Sequence, residues 1–310
     1  IDPKQQTNLY GLNFYLNSLI KLYDNNNLSN KILLSGPKGI GKSTLAYHFI
    51  NYVFSINEEF SYNFEKYLIS SKNRSFKLIE NQSHPNFYHI DVMNEKKNIE
   101  ISQIREMINY ANKSSFNNKS RFVLIDSVEN LNINSLNALL KIVEEPNENL
   151  FFILIHDSKK SVKDTLRSRC ITFKLNLTFE KTIEITSKIL NQNIKDVLNN
   201  DLINYYFTPG ELINLINFAE HNNIDLKNYT LKNFLLFLIN ENYYNKNNFI
   251  KYYIFIMIQL YFLKLLQQSS SKNDINFLYT KFINMINHCN KFNLNYENLF
   301  MEFKSKILNE

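Results

Sequence analysis

Three of the chain's five glycines stand within six positions, in Gly36-Pro37-Lys38-Gly39-Ile40-Gly41-Lys42-Ser43. The stretch fits the pattern G-x-x-x-x-G-K-[ST] without a mismatch. It follows a short apolar run at residues 31–35, KILLS, and precedes the helix-like LAYHFINYVF. Strand, glycine loop and helix, in that order, are what a phosphate cradle requires. The glycines let backbone N–H groups converge on phosphate oxygens, and the helix N-terminus adds positive potential. In such a cradle Lys42 meets the β/γ-phosphates and Ser43 holds Mg²⁺. The candidate nucleotide-binding residues are therefore Gly36, Pro37, Lys38, Gly39, Ile40, Gly41, Lys42, Ser43 and Thr44, for ATP or ADP with Mg²⁺.

The chain around the cradle alternates between two periods. Apolar runs at residues 87–92, 121–125 and 150–155 read as further strands, and helical spacing appears at 9–22, 101–111 and 135–143. Residues 56–83 are polar and aperiodic, which reads as a loop or small irregular insertion. Alternating β and α with continuously apolar strands predicts a parallel sheet covered on both faces. Asp126 closes the third of these strands, where a carboxylate can share the Mg²⁺ with Ser43. An ATPase of this kind places a Glu directly after that Asp to polarise the attacking water, and here the residue is Ser127. A hydroxyl lacks the basicity for that task. Glu129, two positions on, is expected on a different side of the chain.

Beyond residue 175 no further strand run stands out. The rest reads as helices divided at Asn191, Thr208-Pro209-Gly210, His221-Asn222-Asn223, residues 240–248 and residues 269–273. Three segments follow: a nucleotide-binding core at 1–175, a small helical bundle at 176–220 and a C-terminal helical bundle at 221–310. Only five Gly and five Pro in 310 residues favour long helices over a turn-dense sandwich or barrel. The apolar stretch at 249–266 is broken by Lys251, Gln259 and Lys264 and reads as a buried helix rather than a membrane span. Residues 1–8 are too polar for a signal h-region, and no membrane association is expected.

Composition constrains function less. The formal charge of +6 and pI near 9.0 fit a nucleic-acid-facing surface. However, about one residue in six is Asn and nearly all the cations are Lys, a bias that an AT-rich genome produces by itself. Two cysteines, Cys170 and Cys289, cannot build a disulfide framework or a four-thiolate zinc site, so a reducing cytoplasm is expected. Cys170 reads as a packed small residue rather than a reactive thiol. No two-metal polymerase site is legible, and no polymerase activity is expected of the chain alone.

Two further stretches, Asn137-Ala138-Leu139-Leu140-Lys141-Ile142-Val143-Glu144-Glu145-Pro146 and Arg167-Ser168-Arg169-Cys170, complete a pattern with the cradle and Asp126. Together they resemble the clamp-loader branch of the AAA+ family, and within it the delta-prime class of bacterial DNA polymerase III. His84-Pro85-Asn86 and Ile101-Ser102-Gln103-Ile104-Arg105 are supporting matches. The resemblance covers about residues 9–175, and the helical remainder only by architecture. It implies an α/β AAA+ P-loop core with a parallel sheet, a small helical lid and an all-α collar domain. It also implies a cytoplasmic hetero-oligomer with gamma/tau-type and delta-type subunits, acting on a sliding clamp and primed DNA. Arg169 would be the arginine finger, reaching the ATP of a neighbouring motor subunit.

Departures from the family pattern narrow the expectation. The usual four-Cys zinc module between the first two motifs is missing, so no structural zinc is implied. Asp157 ends the fourth strand where motor subunits carry a neutral Thr or Asn, and Glu211 follows Gly210 where they carry a second sensing Arg. With Ser127, these point to a stator that binds nucleotide weakly or statically and has little or no ATPase activity of its own. The alternative is an ATP-hydrolysing gamma/tau-like motor in which Glu129 compensates for Ser127.

Overall fold

The computed structural model describes residues 2–93, 96–113, 119–147, 149–203, 207–268, 272–292 and 294–308. The chain divides into two units, Ile1–Leu190 with Phe207–Asn214, and Asn191–Tyr206 with Leu215–Glu310.

The first unit is built on five strands: β1 (Lys31–Gly36), β2 (Phe87–Ile90), β3 (Arg121–Ile125), β4 (Leu150–Asp157) and β5 (Ile171–Lys174). Every pairing is parallel, and the spatial order is β2-β3-β4-β1-β5. Its helices are α1 (Asn13–Asp24), α2 (Lys42–Ser55), α3 (Arg74–Glu80), α4 (Ile101–Ala111), α5 (Ile133–Glu144), α6 (Asp164–Arg167), α7 (Phe179–Leu190) and the first turns of α8 (Pro209–His221). Strand side chains alternate between faces, and the two cores follow that alternation. Leu34, Phe122, Leu124 and Ile153 join Leu16, Leu45 and Phe49 in one cluster. Leu33, Val123, Ile125, Phe152 and Leu154 join Ile104, Met107 and Leu139 in the other. This is a parallel sheet covered on both faces, with β1 running into the glycine loop and α2 leaving it.

Side-chain caps set the helix starts. The Asn132 side chain accepts the Ser135 N–H at 2.8 Å, and Glu100 and Gln103 form a capping box on α4. At the other end of α4, the buried Arg121 guanidinium donates to the carbonyls of Tyr110, Ala111 and Lys113 at 3.2, 3.0 and 2.6 Å. A fixed cation there satisfies the orphan carbonyls of the last turn.

Two segments differ from expectation. β5 is not visible as an apolar run because this four-residue edge strand is only partly buried. The stretch at 56–83 is more ordered than its composition indicates. The Glu58 carboxylate accepts from Asn73 Nδ2 (2.8 Å), Ser75 Oγ (2.6 Å) and the Arg74 and Ser75 N–H groups (3.1 and 3.2 Å), tying the segment to the start of α3. Such a knot has no periodicity and leaves no pattern in the sequence.

The second unit is helical among its described residues, with α9 (Leu231–Asn240), α10 (Asn248–Gln268), α11 (Lys272–Phe292) and α12 (Glu297–Phe303) as its longer members beyond α8. In its core Phe303 packs edge to face on Phe262 (5.8 Å) and Phe282 (5.4 Å), which are themselves tilted against each other at 5.9 Å. Lys264 pairs with Asp201 at 2.5 Å, while the other Asp201 oxygen accepts the Leu231 N–H at 2.8 Å. Phe249–Gln268 is long and apolar enough to cross a membrane by length and composition, and 39% of its apolar 18-residue window is buried in the fold. The helix break read at 269–273 falls partly on residues 269–271, outside the described residues.

Candidate nucleotide site

The cradle has the backbone that the glycines permit. Gly39 and Gly41 have φ of +82° and +99°, a region costly for residues with a Cβ. α2 begins at Lys42, whose ammonium is turned inward, donating to the carbonyls of Gly36 (2.7 Å) and Pro37 (2.8 Å). Burial pulls the Lys42 pKa down, opposed by the charges of Asp157, Asp126 and Glu129. Ser43 Oγ donates to Asp126 Oδ2 at 2.5 Å, so the two expected Mg²⁺ ligands already face each other. A cavity of about 600 Å³ lies against them, lined by residues 38–44, Asp126, the N-terminal segment around Leu9 and Tyr10, and the apolar side chains of Ile185 and Ile213. Its size suits a small organic ligand. Lys38, Gly39, Ile40, Gly41, Lys42, Ser43, Thr44 and Asp126 therefore converge, while Gly36 and Pro37 act through the carbonyls that hold Lys42. A nucleotide fits this donor set: inward lysine, left-handed glycines, and a hydroxyl–carboxylate pair for Mg²⁺.

The acids around the cradle are arranged differently from expectation. Ser127 has left-handed backbone, φ 57° and ψ 49°, and a short 3₁₀ turn, Val128–Asn130, follows. This reversal brings Glu129 back to the cavity lining, which corrects its expected placement on another side of the chain. Its carboxylate accepts the Asp157 N–H at 3.1 Å and lies 3.9 Å from Lys160 Nζ. Asp157 also lines the cavity, and its own carboxylate accepts the Lys159 N–H at 3.1 Å. Asp91, which no sequence pattern singled out, follows Ile90, the register partner of Ile125, and so sits beside Asp126. Burial and the Asp126 charge raise its pKa. Only strand pairing reveals this neighbour.

The loop is also latched. Thr208 Oγ1 donates to the Lys38 carbonyl at 2.8 Å, and the Gly210 N–H donates to the Gly39 carbonyl at 3.0 Å. A Cβ on Gly210 would lie 2.8 Å from Gly39 Cα, so the two backbones meet where no side chain fits. Glu211 is buried, accepting the Thr208 N–H (2.9 Å) and pairing with Lys159 (3.2 Å). It does not line the cavity. In sequence, Thr208-Pro209-Gly210 is legible only as a helix break.

Arg169 stands outside this lining. Its guanidinium binds the Glu144 carboxylate and donates to the Thr165 carbonyl. Cys170 beside it is partly buried against the core, and burial pushes its thiol pKa up to about 11, opposite to an activated nucleophile.

The family model described as "DNA polymerase III, delta subunit" matches residues 12–178, more than half of the chain. DNA polymerase III subunit gamma of Buchnera aphidicola subsp. Schizaphis graminum is 32% identical over 241 residues, covering 74% of this chain and 62% of that protein. Subunit delta' of the same organism is 27% identical over 183 residues, covering 59% and 53%. Subunit delta' of Pseudomonas aeruginosa is 27% identical over 139 residues, covering 45% and 40%. The chain thus spans less than two thirds of the length of these relatives. Among solved structures, a gamma subunit-related protein from Thermotoga maritima aligns with a TM-score of 0.46 at 16% identity, over 94% of this chain and 97% of that one. The T. maritima RuvB branch migration motor aligns with a TM-score of 0.41 at 18% identity, over 73% and 70%.

Proposed function

The chain belongs to the DNA polymerase III delta-subunit family, and from that premise we propose that it is a non-motor, delta-prime-like subunit of a clamp loader. In this reading it assembles with gamma/tau-type motors and a delta-type subunit, and helps them place a sliding clamp on primed DNA. Residues 1–175 form the nucleotide-binding core, 176–220 the lid and 221–310 a collar that joins neighbouring subunits. Exposed apolar side chains in the last segment, Phe277 at 72% and Phe292 at 57%, suit a packing surface.

The position of Arg169 carries the reading. It lies apart from the chain's own cradle and is partly exposed, so a phosphate held by another subunit can reach it by displacing the exposed Glu144 carboxylate that now pairs with it. A planar, permanently charged guanidinium can neutralise charge developing on a transferring phosphoryl group. Within the chain, Lys42, Ser43 and Asp126 would hold nucleotide and Mg²⁺, and the Mg²⁺ would neutralise phosphate charge. Ser127 supplies no base for hydrolysis.

A second reading, the gamma/tau-like motor, is favoured by Glu129, which lines the cavity as a displaced acid. Steady-state ATP hydrolysis by the purified chain with Mg²⁺ and primed DNA, beside a Lys42→Ala control, separates the two. Equal inertness, with loss of activation of added motor subunits in Arg169→Ala, supports the stator. Turnover abolished by Lys42→Ala identifies a motor.

A further inference from the structure

Three carboxylates line the same cavity as Lys42: Asp157, Asp126 and Glu129. Asp126 has a task in the Mg²⁺ pair with Ser43. Asp157 and Glu129 have none in holding a nucleotide, yet both are buried, Asp157 at 8% exposure and the Glu129 side chain at 4%. They also occupy what donors the end of β4 offers. The Asp157 N–H is taken by Glu129, and Lys42 directs two hydrogen bonds back to the loop carbonyls. The other cavity lysines, Lys38, Lys96, Lys97 and Lys160, are exposed, where solvent and salt screen their charge. The Lys42 end of the cradle is therefore poor in free donors and rich in buried negative charge.

We infer that this cradle is selective for nucleoside diphosphate over nucleoside triphosphate, with Asp157 and Glu129 as the residues that disfavour the third phosphate. The inference rests on the nucleotide-binding reading above and narrows its ligand. An added phosphate brings one more negative charge to the end of the chain that Lys42 meets. Against buried carboxylates on the same cavity wall, that charge lowers affinity by about tenfold or more. The α- and β-phosphates have the loop N–H groups and the α2 N-terminus, so a diphosphate retains the cradle's favourable contacts.

Isothermal titration of the full chain with Mg-ADP and with the non-hydrolysable Mg-AMPPNP tests this, using the unmodified chain and the Glu129→Gln/Asp157→Asn pair. Both replacements keep an acceptor in place while removing charge, and circular dichroism with a thermal melt checks their folding. Expected is ADP binding about tenfold tighter or more in the unmodified chain, falling to within about threefold in the double variant. Equal or tighter AMPPNP binding by the unmodified chain overturns the inference, whatever the double variant does. A preference that persists in a folded double variant overturns the assignment to these two residues. Binding of neither nucleotide removes the nucleotide reading itself, an outcome distinct from the other two.

Discussion

Arg169 and Glu144 are joined side chain to side chain: Nη2 lies 2.6 Å and Nε 2.9 Å from the same Glu144 oxygen, while Nη1 donates to the Thr165 carbonyl at 2.7 Å. The pair links the end of the N-A-L-L-K-x-x-E-E-P stretch to the S-R-C stretch, and Glu144 thereby sets where the guanidinium points. Both side chains are substantially exposed, at 36% and 49%, so the pair contributes under about 1 kcal/mol to stability. Arg169→Ala should therefore leave the unfolding midpoint in urea nearly unchanged. It should lower hydrolysis by added motor subunits by roughly 10³-fold if Arg169 acts in trans. A folded variant that activates the motors normally removes the finger assignment.

The Gly39–Gly210 contact yields a stability prediction. A methyl group on Gly210 would meet backbone atoms of Gly39 at 2.8 and 3.0 Å, and backbone cannot rotate aside as a side chain can. Gly210→Ala should cost about 1–3 kcal/mol in urea unfolding and weaken nucleotide binding through the displaced loop. An unchanged midpoint means that the latch is not held in solution.

Ser127 is more than a missing carboxylate. Ser127 lines the cavity and its Oγ donates to Asp126 Oδ1 at 3.3 Å, but its left-handed φ of 57° means that a Glu there starts from a reversed backbone rather than from extended strand. Ser127→Glu should leave steady-state ATP hydrolysis at the level of Lys42→Ala. Turnover gained by this single change would show that side-chain chemistry alone silenced the site.

His48 makes stability depend on pH. It is fully buried in α2, and its Nε2–H donates to the Gln6 carbonyl at 3.1 Å while Nδ1 accepts from the Tyr62 hydroxyl at 2.9 Å. Burial lowers its pKa to about 4, with the Gln6 hydrogen bond opposing. The folded pKa lies below the ordinary value near 6.5, so the unfolded chain takes up the proton first as pH falls. The neutral ring's contribution is complete above about pH 6.5 and is lost between there and about 4, at up to about 1.4 kcal/mol per pH unit. His84, also lowered to about 4 by burial, acts in the same direction. Urea unfolding at pH 7, 6 and 5 should show a falling free energy, with a shallower slope in His48→Gln. A flat profile over that range contradicts the buried neutral ring.

What local order could encode was legible in the residues. The glycine loop, four of the five strands and the Lys42–Ser43–Asp126 set all follow from short-range pattern, because backbone freedom and alternation act within a few residues. Only tertiary structure decided the rest. The left-handed turn at Ser127 returned Glu129 to the cavity, β2–β3 register placed Asp91 beside Asp126, and Gly210 docked on Gly39 across 171 residues of sequence. Arg169 found Glu144 only once α5 and the segment after α6 had packed. These contacts depend on which way a chain reverses and what lies opposite, and neither has a period that a linear sequence can display.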